Sequence, residues 1–454
     1  MANRTKPPNL VELFDLNIGD TAAIVGGGGK TSLMFALASQ FNGTVITTTT
    51  TRIFRKQMDL APTTHSIDPA ADPNSFDFDL VNEKLDLYGH CLVYGEVAGE
   101  KAHGVPPHIP RLLMEKTNAE LIVVEADGSR MRSIKAPADH EPAVPASATV
   151  VIPTMGIDAF GQRVVDAAHR PELVAKITNL SKEDLLTAEA LATILTHPEG
   201  GLKNLPANAR AVPFINKVES DSQLQSAREI ASLVLEKERI SRVILGSLRE
   251  NDKKMEVHRP VAAVVLAAGK SERMGLTKQL LPWGDRSVIG QTLVNLQRSS
   301  INDILVVTGH EAEAVQAAAG VFSVPTIFNP DYEEGEMLTS LQTAVRWLPT
   351  KISAVLVMLA DQPMVSSEII DLLLERYWQG DTELIAPVYQ GKRGNPVLIG
   401  RRFFRELLAL KPGLAPRHLL NQHPDKLVLV EANSPAVLQD LDRPEDYERW
   451  RPDF

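Results

Sequence analysis

The chain has 454 residues, a formal charge of −10 and 44% apolar residues, so two or three domains with ordinary buried cores are expected. The negative balance argues against general attraction to nucleic acid or an acidic membrane, and a polyanion would need a local site. Cys91 is the only cysteine, no apolar run reaches the ~18 residues of a membrane span, and the first ten residues lack a signal-like apolar core; an internal disulfide is excluded, and a cytoplasmic protein without membrane or nucleic-acid partners is expected.

Apolar, β-branched runs alternate with helical patterns through the first half, at 22–25, 44–50, 121–125, 150–153, 212–216 and 242–245. Near-continuous apolar strands of this kind predict a mainly parallel sheet covered on both faces by helices. Residues 24–32 read IVGGGGKTS: a strand, a glycine run, Lys30 and Thr31, then an apolar helix. In that order the amides around Gly28 and Gly29 cradle phosphates, Lys30 reaches the terminal groups, and the Thr31 hydroxyl binds Mg²⁺. Ile24 stands where the usual P-loop pattern has glycine, and a plain flexible turn would have the same composition.

The threonine run 47–51 either offers hydroxyls to the same site or simply favours a strand. A strand ending in Glu125 and Asp127 has the form of a metal-binding strand beside a P-loop. Residues 216–219, Asn-Lys-Val-Glu, are similar to the Asn-Lys-x-Asp motif that reads guanine, with Glu in the last place. His103, His108, His140 and His169 have no metal-ligand spacing. Taken together, VGGGGKTS, TTTT, EADGSR, KAPADHEP and INKV resemble the YqeC-like family of selenium-dependent molybdenum hydroxylase accessory proteins over roughly residues 8–250. That resemblance implies a P-loop-like, nucleotide-binding unit with a maturation role toward a client molybdenum hydroxylase.

Residues 249–260 are charged and lack apolar periodicity, so 251–260 is expected to be a linker and 261–454 a second domain. Its apolar runs, at 261–266, 304–308, 354–359 and 427–430, again predict an α/β sheet. The first run opens into VVLAAGKSERMGLTKQLLPW, whose loop carries Gly269, Gly275, Lys270, Arg273 and Lys278. Backbone amides and three cations on one loop suit a polyphosphate, although a solvated basic loop would share the composition.

Leu266, Ala267, Ala268, Gly269, Ser271, Arg273, Met274 and Gly275 follow the pattern L-A-A-G-x-S-x-R-M-G, with Lys278 a little beyond. This resembles the signature loop of MobA-like nucleotidyltransferases, in particular molybdenum cofactor cytidylyltransferases. Four later segments agree: 329–341 with Ser340, 354–363 ending at Asp361, 391–396, and 440–446 with Asp442. Asn395 replaces the family's His, and Arg443 replaces a Thr that would cap a helix.

The resemblance implies a Rossmann-like nucleotidyltransferase domain. Arg273 and Lys278 would neutralise the triphosphate, Asp361 and Asp442 would hold Mg²⁺, and Ser340 would contact substrate or nucleotide. Glu125 and Asp127 would hold a metal in the first domain. CTP, or another NTP, and a molybdopterin-type phosphate are the implied substrates. A non-catalytic cofactor carrier and a transferase acting on a sugar or alditol phosphate stay open.

Overall fold

The structure, a computed structural model, describes residues 9–68, 70–72, 76–249, 255–271, 274–301, 303–411 and 414–452, and for 334–336 the helical backbone alone. The chain divides into two compact units, Lys6–His258 and Arg259–Phe454. Each is an α/β unit built on one large, mainly parallel sheet.

In the first unit the strand Asp20–Gly26 lies centrally. Leu121–Glu125 pairs with it on one side and Val150–Gly156 on the other, both in parallel. Val45–Thr49 and His90–Tyr94 extend the sheet beyond Leu121–Glu125; Phe214–Asn216 and Val243–Leu245 extend it beyond Val150–Gly156. The chain thus runs outward to Val45–Thr49, returns to Leu121–Glu125, and then crosses to the other side of Asp20–Gly26. This reversal makes the carboxyl ends of the central strands the natural crevice for a ligand. The central residues Ala22, Ala23 and Ile24 are fully buried. A strand covered on both faces has no polar side to show, which is why it reads as an uninterrupted apolar run. Each fully buried Ile or Val there contributes about 1.5–3 kcal/mol.

One boundary differs from expectation. The stretch anticipated as a linker contains a strand, Glu256–His258, which closes the first sheet antiparallel to Val243–Leu245. Residues 251–254 lie outside the described residues. Its charge disguised it. Glu256 accepts hydrogen bonds from Arg228 at 2.6 Å and pairs with His258 at 2.7 Å, so a polar stretch is buried by satisfying itself.

The second unit's sheet follows the order Thr326–Phe328, Asp303–Thr308, Val261–Ala267, Ala354–Leu359, Val397–Gly400, Leu384–Tyr389, Lys392–Arg393, with Leu427–Glu431 also on Leu384–Tyr389. The first four are parallel, and Val397–Gly400 turns antiparallel. Strand order reverses at Val261–Ala267, whose neighbours are Asp303–Thr308 on one side and Ala354–Leu359 on the other. The pairing of Leu266 with Leu359 brings the loops after these two strands to one edge. Helix Val288–Gln297 covers one face, with Ser287 capping its start through the Gly290 amide at 3.1 Å. Helix Tyr332–Trp347 packs on the other, and its Leu338 and Leu341 join the core there.

Candidate active site

In the second unit, the strand Ala354–Leu359 runs straight into Asp361, which is 8% exposed. The buried amide of Asn295, from the covering helix, donates to the carbonyls of Pro363 at 2.9 Å and Val365 at 2.8 Å, and fixes the turn beyond it. A second segment docks here from the far end of the chain. Leu441 is fully buried and its N–H donates to the Asp361 carbonyl at 3.2 Å, which carries Asp440 and Asp442 to the same spot.

Lys278 stands between these carboxylates. Its ammonium pairs with Asp361 and donates to Asp442 Oδ1 at 2.9 Å. Burial would pull its pKa down, but Asp361 and Asp442 outweigh burial and hold it above the ordinary lysine value. Burial first, and then Asp361 and Asp442, raise the Asp440 carboxyl. Sequence reading overlooked Asp440. Its signal was its place two residues from Asp442 in DLD.

The signature loop is braced from inside. Gln279, 3% exposed, donates to the Ala267 carbonyl at 3.1 Å and meets the Ser271 hydroxyl at 3.3 Å. Cβ atoms built at Gly269 and Gly275 would meet no described atom within 4 Å, so there is open space beside the loop at both. Gly275 also has φ of 67°, a conformation that favours glycine. Leu266 and Ala267 are core residues that carry the loop. Ala268 lies behind it, its carbonyl accepting from His310 at 3.2 Å. Lys270 points elsewhere, pairing with Glu333 at 3.0 Å. Arg273 lies outside the described residues.

Ser340 sits in the third turn of Tyr332–Trp347, 1% exposed, accepting from Asn329 at 3.0 Å. Arg443 provides no side-chain cap to helix Pro444–Trp450; Asp446 reaches back to the Arg443 amide at 3.0 Å.

The donor set can be tested against a divalent ion. Two hard carboxylates already enclose a cation, the Lys278 ammonium, and Gln362 next to Asp361 keeps a buried side-chain oxygen without a partner among the described residues. Such oxygens suit Mg²⁺, which needs few protein ligands when phosphates and water complete its shell. Among the described residues no three His, Cys, Asp or Glu side chains form a group that could hold a metal ion.

In the first unit, Asp20–Gly26 and Leu121–Glu125 are neighbours, so the glycine loop and the Glu125–Asp127 end meet. Lys30 folds back over the loop, donating to the Gly26 carbonyl at 2.6 Å and pairing with Asp127 at 3.3 Å. The Thr31 hydroxyl donates to Glu125 at 2.7 Å. Burial pushes the Glu125 carboxyl up, against the pull of Lys30 and Thr31.

Two expectations change in detail. The amides of Gly26, Gly27 and Gly28 are taken by Asp127, the Thr154 carbonyl and the Arg132 carbonyl, so a phosphate would meet the amides from Gly29 onward, at the start of helix Lys30–Gln40. A Cβ at Gly28 would lie 2.2 Å from the Gly156 nitrogen, so that glycine serves close packing against the next strand. Asp127 is held by Lys135 at 3.1 Å as well as by Lys30, which makes it an anchor for lysines; Glu125 with Thr31 is the pair suited to a hydrated cation. The Thr47–Thr50 hydroxyls all bond within the unit, to His90, Val93, Glu125 and Ala143.

Comparisons with known proteins agree with this division. A family model described as the YqeC protein matches residues 22–172, and one described as the MobA-like NTP transferase domain matches 263–427. The uncharacterized protein YqeC of Escherichia coli is 32% identical over 240 residues, 50% of this chain and 88% of its own. The molybdenum cofactor cytidylyltransferase of Escherichia coli is 27% identical over 192 residues, 41% of this chain and 93% of its own. Nicotine blue oxidoreductase of Paenarthrobacter nicotinovorans is 27% identical over 198 residues, 42% of this chain and 95% of its own. Among the described residues no helix is long and apolar enough to cross a membrane. The chain belongs to the YqeC family, and its second unit is a MobA-like nucleotidyltransferase domain.

Proposed function

We propose that the second unit transfers CMP from CTP to a molybdopterin-type phosphate, with Mg²⁺ held between Asp361 and Asp442. The observation that carries this reading is the meeting of Lys278, Asp361 and Asp442 beside an open, glycine-bearing loop. The name of the cytidylyltransferase relative supports the choice of CTP and of molybdopterin.

Lys278 and the loop amides bind and neutralise the β and γ phosphates; Arg273 is assigned the same role from the sequence. Asp361 and Asp442 would hold the ion beside the triphosphate. When bound, Mg²⁺ would supply charge neutralisation to the triphosphate. The nucleophile is the acceptor's phosphate monoester, whose second pKa is ~6, so it arrives ionised near neutral pH and no side chain needs to take a proton. Its oxygen bonds the α-phosphorus, the bond to the β-phosphate breaks, and pyrophosphate leaves. Positioning and charge stabilisation are then the whole contribution of the protein.

The first unit, in this reading, binds a nucleotide's phosphates at the start of helix Lys30–Gln40, with Lys30, Thr31 and Glu125, and serves maturation of a client molybdenum hydroxylase. Holding both units on one chain raises the local concentration of a labile product near its recipient.

The test is a panel of four NTPs with molybdopterin, scored for pyrophosphate. Mg²⁺-dependent release with CTP is expected. Release only with a sugar or alditol phosphate as acceptor would reassign the substrate, and no release with any NTP would favour the carrier.

A further inference from the structure

We propose that the phosphate site of the first unit takes a guanine nucleotide, the base being read by the Glu219 carboxylate. The proposal rests on the phosphate-binding reading of that unit and adds the identity of the base.

The observation is a brace between the glycine loop and the sheet's far side. Phe214–Asn216 ends in Asn216, 4% exposed, whose amide is used at both ends. Its Nδ2 donates to the Gly28 carbonyl at 2.7 Å, and its Oδ1 accepts from the Leu248 amide at 3.2 Å. A Cβ at Gly29 would stand 2.5 Å from that Nδ2, so the contact leaves no room for a side chain. Asn216 thereby locks three loops together: the glycine loop, its own, and the one after Val243–Leu245.

These loops build a receptor beside the phosphate site. Val218 donates to the Gly246 carbonyl at 3.1 Å, which sets the two strand-end loops edge to edge. Ser247, 4% exposed, meets Glu219 Oε1 at 3.3 Å, and Gln223 accepts from the Glu219 amide at 2.8 Å. Arg249 stands 4.0 Å from the same carboxylate. The Glu219 side chain is 35% exposed, accessible but held from several sides. Lys217 has φ of 65°, an uncommon conformation for a residue with a Cβ, and its ammonium is fixed by Ser133 and Asp158 at 2.8 Å each.

Reach and chemistry then choose the ligand. Phe214–Asn216 and Val243–Leu245 lie two and three strands from Asp20–Gly26, or roughly 10–14 Å at ~4.8 Å per strand. That is the span of a nucleotide from terminal phosphate to base. A carboxylate only accepts hydrogen bonds. Guanine alone among the common bases offers two adjacent donors, N1–H and the 2-amino group. Adenine and cytosine pair a donor with an acceptor there, and uracil flanks one donor with two acceptors.

The experiment uses the full chain, with Lys30→Ala as the control that reports binding outside the first unit's phosphate site. Mg²⁺ complexes of GDP, ADP, CDP, UDP and xanthosine diphosphate are titrated by calorimetry, with tripolyphosphate as a base-free competitor. GDP should bind tighter than the other three common diphosphates by roughly ten- to hundredfold, the worth of one or two hydrogen bonds to a charged group. Glu219→Gln should lose that preference and gain affinity for xanthosine diphosphate, because a carboxamide matches its N1–H and 2-carbonyl. Far-UV circular dichroism matching the parent secures the fold of that near-isosteric variant. Equal affinities, or a GDP preference untouched by Glu219→Gln, would overturn the base assignment; displacement by tripolyphosphate would still leave the phosphate site standing. No binding of any diphosphate or of tripolyphosphate would overturn both.

Discussion

Both units end a central parallel strand in a glycine-bearing loop and set a carboxylate at the end of a neighbouring strand, yet the two sites differ in how their charges are held. In the first, Lys30, Asp127 and Lys135 are 4%, 1% and 2% exposed and tied to one another. Three loop amides are also bonded within the unit. In the second, Lys278 spans Asp361 and the more exposed Asp442, beside open space at Gly269 and Gly275. The first network holds the fold together as much as it prepares a site. The proposed function asks the second to exchange its ammonium for a metal and a phosphate.

The largest expected effect separates chemistry from stability. Asp361→Ala should lower kcat for pyrophosphate release by roughly 10²- to 10³-fold or more, as loss of a principal electrostatic group does, while the thermal unfolding profile stays close to the parent. Wild-type turnover in this variant would remove Asp361 from the site. Lys278→Ala sharpens the contrast. We expect turnover to fall roughly 10²-fold while Mn²⁺ binding without nucleotide tightens, since the two carboxylates lose their internal counterion. Weaker Mn²⁺ binding would mean that the lysine does not compete with the ion.

Next comes stability. Asp127→Ala leaves Lys30 and Lys135 buried with less counter-charge and should cost about 3–5 kcal/mol in denaturant unfolding, although Glu141 at 2.7 Å from Lys135 offsets part. Asp442→Ala, at a half-exposed pair, should cost about 1 kcal/mol or less. Equal losses would erase the distinction between the units.

A further effect, between those of Asp127→Ala and Asp442→Ala in size, is acid lability of the first unit. The Glu256 carboxyl is held at about 2, below its ordinary 4.5: burial works to raise it, but His258 and Arg228 prevail. A depressed folded-state carboxyl contributes stability above 4.5 that is lost as pH falls toward 2, here on the order of 2–3 kcal/mol. Glu256→Gln should flatten that stretch of the stability–pH curve.

Much of this was legible in the sequence, because parallel strands buried on both faces must be apolar throughout and because strand-end residues such as Asp361 and Glu125 interrupt them. The loop 266–275 was legible as a glycine-bearing connection following a buried strand. What could not be read depends on partners distant in sequence. Glu256–His258 looks like a linker until Arg228 is beside it. The amide of Gly28 seems available until Arg132 takes it. Asn295 and Gln279 are single polar residues whose roles appear only when the carbonyls they hold come near.

The most direct measurement is a Mn²⁺ titration of the full chain followed by electron paramagnetic resonance, with and without CTP. A site strengthened by CTP, lost in Asp361→Asn and in Asp442→Asn and kept in Lys30→Ala, is the predicted result. A CTP-linked Mn²⁺ site that survives Asp361→Asn would contradict the assignment of these carboxylates to the triphosphate.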